Sequence, residues 1–479
     1  MALKKYFANA DTTITNAYKA NLATRGVSGN MGLSDILEVF SIFGQANSSS
    51  SELSRVLIKF PISDIISDRS AGVIPASGSV SWFLTLYNAR HSTTVPKQYT
   101  LTVSAVSSSW DEGTGLDMEE YSDLGTANWI VAASSSNAGT SSWVSQGGDY
   151  HSSPKFNQYF DDGTENLSID VSSLVEQWID GTKQNYGFGI ALSSSLETAF
   201  QSYYTKRFFA RGSEFFFKRP SLQAKWNSVK KDNRGTFYAS SSLASAQDNL
   251  NTIYLYNVVR GQLKNIPSIG TGAIYVKVYD DSVSGSVIAA TPNNPVTGGW
   301  YSTGIYTASF ALNTTASQVF DRWFDSSLTT CFYTGSIDVI DLEAQDYNVT
   351  NNYVVSLING KPYYDSDEQA RFRFFIRSKD WNPTIYNVAT SEVPTQIIES
   401  ASYKIIRNSD NLEVIPYDTG SLLSTGLSYD SSGSYFDLDM NILEPDYMYS
   451  IKLKFYDATT NTWKEQRETF KFRVEKNES

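Results

Sequence analysis

The sequence predicts an all-β protein built as tandem β-sandwich domains. Short runs of alternating apolar and polar residues recur along the chain, each closed by clusters of Gly, Pro, Asn or Ser, as expected of half-buried strands joined by turns. The aromatic fraction of 14% rests on 30 Tyr and 26 Phe, side chains that suit a pleated surface better than a helix interior. At 479 residues the chain exceeds one ordinary core, so two to four domains are expected.

In chain order, the first signals are Ala10-Asp11-Thr12-Thr13-Ile14, then Ser54-Arg55-Val56-Leu57-Ile58-Lys59-Phe60 followed by Ile62-Ser63-Asp64-Ile65. Val80 to Tyr87 and Ser109-Trp110-Asp111-Glu112-Gly113 come next. The run LSIDVSSLVEQWIDGTKQNYGFGIAL, Leu167 to Leu192, places an amphipathic helix between two β-like segments. Val171, Leu174, Val175, Trp178 and Ile179 fall at i, i+3, i+4, i+7 and i+8, which makes one apolar stripe. Asp170 is the expected N-cap, Ser173 and Glu176 a later capping-box pair, and Gly181 the left-handed stop. After it, Asn185 to Ile190 reads as a strand whose glycines admit a close neighbour. Arg219-Pro220-Ser221-Leu222 leads into the last strand of this region.

In order and spacing these motifs resemble the DNRLRE family of jelly-roll-like modules, which is related to carbohydrate-binding modules and is also found in bacteriophage structural proteins. The resemblance spans residues 1–227 and implies a jelly-roll-like N-terminal module with one capped helix. The chain departs from the family at Thr205 to Arg219, TKRFFARGSEFFFKR, where the charged signature behind the family name is not cleanly present.

Asn227 to Gly235, NSVKKDNRG, is polar and lacks periodicity, so it marks a boundary. Its basic cluster, with Lys225, Lys230, Lys231 and Arg234, is read as a solvated connector. Residues 236–346 then offer IYLYNVV, AIYVKVYDD, GIYTASFAL, CFYTG and IDVIDLEA as strands between turn-rich pieces, a pattern that fits a second, immunoglobulin-like sandwich. Val319 to Phe324 is read as one helical turn within it. Residues 347–479 form the third unit, again immunoglobulin-like, with Phe372, Phe374 and Ile376 on one strand face. Ile451, Leu453 and Phe455 alternate with lysines, as do Phe470, Phe472 and Val474 with Lys471 and Arg473; exposed cations of this kind would discourage edge-to-edge pairing. The serine-rich pieces Asn47 to Ser51 and Ala133 to Ser142 are read as long loops.

A net charge of −12 and a pI near 4.8 argue against a nucleic-acid partner, which would need a basic stripe. The single cysteine, Cys331, is expected to be a small buried apolar residue. No stretch is apolar for the ~18 residues a membrane span requires. The opening MALKKYFANADTTIT carries charge without an apolar stretch after it, so no signal peptide is expected. Modules of extracellular type without an export signal suit a protein released by lysis.

For chemistry, His91 and His151 stand alone, and no zinc, serine-hydrolase or phosphate-loop motif is present. No catalytic residue, metal or cofactor is assigned. Trp110-Asp111-Glu112-Gly113, followed by Asp117, Glu119, Glu120 and Asp123, is the acid cluster a glycosidase would draw on, set against a loop that packs through Trp110. Asp161-Asp162-Gly163-Thr164-Glu165 offers oxygen atoms to calcium but without the spacing of a dedicated loop. Trp129, Trp143 and Tyr150 lie in a loop-rich stretch and are the candidate contacts for a glycan or, preferentially, a protein partner.

The function expected is that of a non-enzymatic bacteriophage virion structural protein at the neck, tail or capsid surface. Its partners would be other virion proteins and further copies of itself. The alternative is a glycan-binding adhesin or receptor-binding module.

Overall fold

The computed structural model describes residues 2–44, 51–92, 95–120, 125–135, 139–340, 352–379 and 395–476. The chain divides into two compact units, Ala2–Asn227 and Ser228–Ser479.

The first unit contains strands β1 (Leu3–Phe7), β2 (Ala10–Thr15), β3 (Ile36–Ile42), β4 (Glu52–Lys59), β5 (Ser81–Leu86), β6 (Tyr99–Val106) and β7 (Val131–Ser135). It continues with β8 (Gly139–Ser142), β9 (Tyr150–Phe160), β10 (Leu167–Asp170), β11 (Phe188–Leu192), β12 (Tyr203–Phe209) and β13 (Ser221–Lys225). Helices α1 (Ile62–Ser70), α2 (Ser172–Ile179) and α3 (Ser194–Glu197) complete it. One sheet runs β1-β13-β5-β10; the other runs β12-β3-β4-β11-β6-β9, with β2 also on β4. The sandwich follows from alternation. Trp82, Leu84 and Leu86 on β5 and Leu101, Val103 and Ala105 on β6 point into one shared core, which Val171, Leu174, Val175 and Trp178 of the helical run close.

Helix α2 starts differently from its sequence reading. Val171, not Asp170, is the N-cap residue, and Asp170 instead accepts the Ser172 N–H at 2.8 Å. The capping box does not form, because Glu176 is drawn sideways into a bidentate pair with Arg69 of α1, both bonds 2.7 Å, and a 2.9 Å bond from the Trp82 indole. Gly181 does take the left-handed conformation, at φ 78°. The region read as a loop from Ala133 to Ser142 contains the β7–β8 hairpin, whereas residues 47–50 of the other serine-rich piece lie outside the described residues.

In the second unit, nine strands within Phe237–Ile340 enclose a core that includes Ile253, Val276, Phe310 and Trp323. Strand Val296–Ser302 serves both faces: its first part pairs with Ile274–Val276 and its second with Ile305–Thr307. Gly298 stands at the corner, where a Cβ would come within 2.6 Å of the Thr307 carbonyl oxygen. The last sandwich packs a four-stranded sheet, which contains Gln369–Ser378 and Gly433–Asp439, on a sheet centred on Met448–Asp457. Its core is aromatic, with Tyr403 stacked on Phe436 at 3.7 Å and Phe372 against Phe472 at 5.3 Å. The boundary placed at 346/347 lies outside the described residues.

Four expectations are overturned here. Val319 to Phe324 belongs to a strand, Gln318–Phe324, because Val319, Asp321 and Trp323 all turn inward with the period of two that a helical turn lacks. Cys331 is exposed at the start of a strand, its thiol directed at the Tyr333 carbonyl 3.3 Å away. Strand Met448–Asp457 lies inside its sheet, between Ala401–Arg407 and Phe470–Glu475, so its lysines do not guard an edge; Lys452 and Lys404 instead converge on Glu465. Residues 228–235 are not a solvated connector. Lys230 and Asp232 exchange backbone hydrogen bonds with Tyr429, Asn233 accepts the Thr252 N–H, and Arg234 forms a bidentate pair with buried Asp321. The segment is polar because it must satisfy hydrogen-bonding groups of both sandwiches of the second unit.

Candidate functional site

The outer face of the β4-β11-β6-β9 region is divided between a covered half and an open half. Leu57 and Val106, which alternate with core residues and so face outward, are buried beneath the loop that follows β6 in a cluster with Trp110, Trp129, Ala132 and Trp143. Trp110 donates its indole N–H to the Tyr186 carbonyl at 2.7 Å, and Trp143 donates to that of Asn128 at 2.9 Å. Trp129 and Trp143 are each 5% exposed, so neither presents a ring face to a ligand. Their place in a stretch without strand periodicity reflects a loop with its own core, not rings left free.

Tyr150 stands at the border between the halves. Its ring lies over Gly189, where a Cβ would sit 2.0 Å from Cε1, and its hydroxyl donates to the Gly147 carbonyl at 2.9 Å. Burial pushes its pKa up to about 12. Beside it Arg55 of β4 makes a bidentate pair with Glu197 of α3, at 2.9 and 2.7 Å, and a third bond to the Gly147 carbonyl at 2.9 Å. Burial works against the guanidinium charge, but the Glu197 carboxylate outweighs it and the Arg55 pKa is raised.

The open half is a groove of about 460 Å³. Its floor is made of short side chains, Thr100 and Thr102 from β6 and Gly189 and Ala191 from β11, because these are the outward partners of the large core residues on the same strands. Lys155 and Asn157 of β9 form one wall and the Arg55–Glu197 pair the other. Asn157 accepts the Thr102 hydroxyl at 2.8 Å. Such a surface can offer hydroxyl, amide and ammonium groups to a polar ligand.

The acid cluster has a different use. Glu112 is clamped by Arg211 Nε at 2.6 Å and Nη2 at 2.5 Å and also accepts the Asp11 N–H at 2.6 Å. Asp11, 1% exposed, accepts the Arg211 backbone N–H at 2.6 Å, and burial raises its carboxyl to about 7. Buried Asn30 completes the knot, donating to the carbonyls of Glu112 and Ala127 and accepting from Gly32 and Gly115. Asp111 caps the Ser134 N–H, and Asp117 accepts from the N–H groups of Glu119 and Glu120. Asp123 lies outside the described residues. These acids tie β2, the 110–117 loop and the chain after β12 together.

At Asp161–Glu165 the Glu165 carboxylate folds back onto the N–H groups of Asp161 and Asp162, both at 2.8 Å. The Gly163 and Glu165 carbonyls are turned to the ammonium of Lys206. Among the described residues, no group of three or more His, Cys, Asp or Glu side chains is placed to hold a metal ion. Neither the Arg55–Glu197 wall nor Lys206 was singled out from the sequence. Lys206 left a trace there, since it falls in phase with inward Phe208 and Ala210.

No family model and no curated protein matches this sequence. Among solved structures, the Yersinia pseudotuberculosis adhesin InvE is similar at 10% identity, with 50% of this chain and 56% of that one covered and a TM-score of 0.16. The DIP-gamma IG1+IG2 structure matches at 10% identity over 53% of this chain and 98% of that one, TM-score 0.14. A Salmonella alpha-2-macroglobulin reacted with methylamine matches at 9% identity over 99% of this chain and 34% of that one, TM-score 0.15. This chain thus spans a little over half of the adhesin and about a third of the macroglobulin. At such TM-scores these likenesses carry no argument.

Proposed function

We propose that the protein is a non-enzymatic structural component of a bacteriophage particle, placed at the neck, tail or capsid surface and joined to other virion proteins and to further copies of itself through sheet faces and loops. The observation that carries the non-enzymatic part is the fate of the acids: Glu112, the most tempting catalytic candidate, is neutralised by Arg211 and hydrogen-bonded to the backbone of Asp11. The particle itself rests on the resemblance of residues 1–227 to DNRLRE modules. Affinity in such an assembly comes from repeated modest interfaces more than from one deep site. Mass spectrometry of density-banded particles from the source culture tests the reading. The chain should band with the particles at stoichiometric level and resist a salt wash; a chain found only in the soluble fraction would overturn it.

The groove favours a second reading, a glycan-binding adhesin. Its hydroxyl-lined floor and amide and ammonium wall suit a polyhydroxylated ligand, although the aromatic rings that usually stack on sugars are buried nearby. A glycan array probed with the full chain separates the two. Binding lost on Asn157→Ala and Lys155→Ala would favour the adhesin, and a blank array would remove it.

A further inference from the structure

Lys206 is 1% exposed, yet every proton of its ammonium group is used. It donates to Asn88 Oδ1 at 2.6 Å, to the Gly163 carbonyl at 2.8 Å and to the Glu165 carbonyl at 2.8 Å. The rings of Phe160 and Phe208 lie 5.3 and 4.9 Å from Nζ. Burial pulls the pKa down to about 8 against the support of the Glu165 carboxylate, which still leaves a cation at neutral pH. The Tyr99 hydroxyl, under the influence of the same carboxylate, is buried without a hydrogen-bond partner among the described residues.

Two main-chain carbonyls and an amide oxygen are oxygen donors of the kind that hold a cation, and the Glu165 carboxylate, turned to the Asp161 and Asp162 N–H groups, adds its charge from a distance. The geometry points to a cation site formed by Asn88, Gly163 and Glu165, for which Lys206 supplies the resident ion, and which takes a free monovalent cation of ammonium or potassium size once that side chain is removed. The charge balance sets the valence. One carboxylate offsets one positive charge, whereas a divalent ion would leave an excess charge in a buried place. The site has a structural task, since the 161–166 turn carries the chain from β9 in one sheet to β10 in the other, and the ammonium fastens that turn to β12.

The test uses the full chain with Lys206→Ala and Lys206→Met, melted at equal ionic strength in choline, ammonium, propylammonium, potassium or calcium chloride. Both variants should melt below the native chain. Ammonium, propylammonium or potassium should raise the Lys206→Ala midpoint by about 3 °C or more over choline. The native chain and Lys206→Met, whose side chain fills the cage, should not respond. If Lys206→Ala does not fold in choline, the readout becomes refolding yield, and recovery with the same monovalent cations is expected. Lys206→Met as stable as the native chain, a Lys206→Ala variant unmoved by all three cations, or rescue by calcium alone would each overturn the inference.

Discussion

Replacing Arg234 by Met should destabilise the second unit by about 3–5 kcal/mol, the cost of leaving a buried charge without its partner. The magnitude follows from where the pair sits. Asp321 is fully buried, and its two oxygens take Arg234 Nη1 at 2.7 Å and Nη2 at 2.8 Å. Trp323 donates its indole N–H to the same carboxylate at 2.6 Å, so the acid cannot swing out to water without breaking the core around that ring. Were the pair exposed, the loss would be at most about 1 kcal/mol. Lys97–Asp162 supplies that contrast: at 3.4 Å with side chains 67% and 72% exposed, its removal should stay within that limit. Adding Asp321→Asn to Arg234→Met should recover part of the loss, because a neutral amide needs no counter-charge and still accepts from Trp323. Urea unfolding followed by circular dichroism and tryptophan fluorescence measures all three. An Arg234→Met loss below about 1 kcal/mol, or a double variant no better than the single one, would refute a structural role for residues 228–235.

Three further outcomes are expected. Asp11 has its folded-state pKa raised from 3.8 to about 7, so its contribution to stability is full below about pH 4 and lost as the pH rises through 7; Asp11→Asn should flatten that part of a melting-temperature profile taken from pH 4 to 8. Gly189→Ala should cost about 1–3 kcal/mol in denaturant titration, since the new Cβ meets the Tyr150 ring; unchanged stability would mean that the ring is free to move aside. Trp143→Ala should cost about 3–5 kcal/mol by the same measurement, and a variant that kept its stability but lost ligand binding would return the indole to the role of a contact residue.

The strand-rich fold could be read from the sequence wherever one sheet face is buried and the other wet, because that condition imprints a period of two. Phe372, Phe374 and Ile376, all buried, are an example. The stripe on α2 was legible for the same reason at the helical period. Capping failed there because local spacing cannot reveal that Glu176 is claimed by Arg69, a residue 107 positions away in the chain. The role of the charged segment 228–235 is hidden on similar grounds: charge reports polarity, and a polar residue serves equally well in water or in a seam of partnered groups. The groove was invisible because its floor consists of small residues that carry no chemical signature until four strands bring them side by side.

The most direct measurement is immunogold electron microscopy on particles purified from lysate of the source culture, with antibody raised against residues 1–227. Gold confined to one place on the particle, at neck, tail or capsid surface, is the predicted result. Particles free of gold, with the label on cells or in the medium instead, would contradict it.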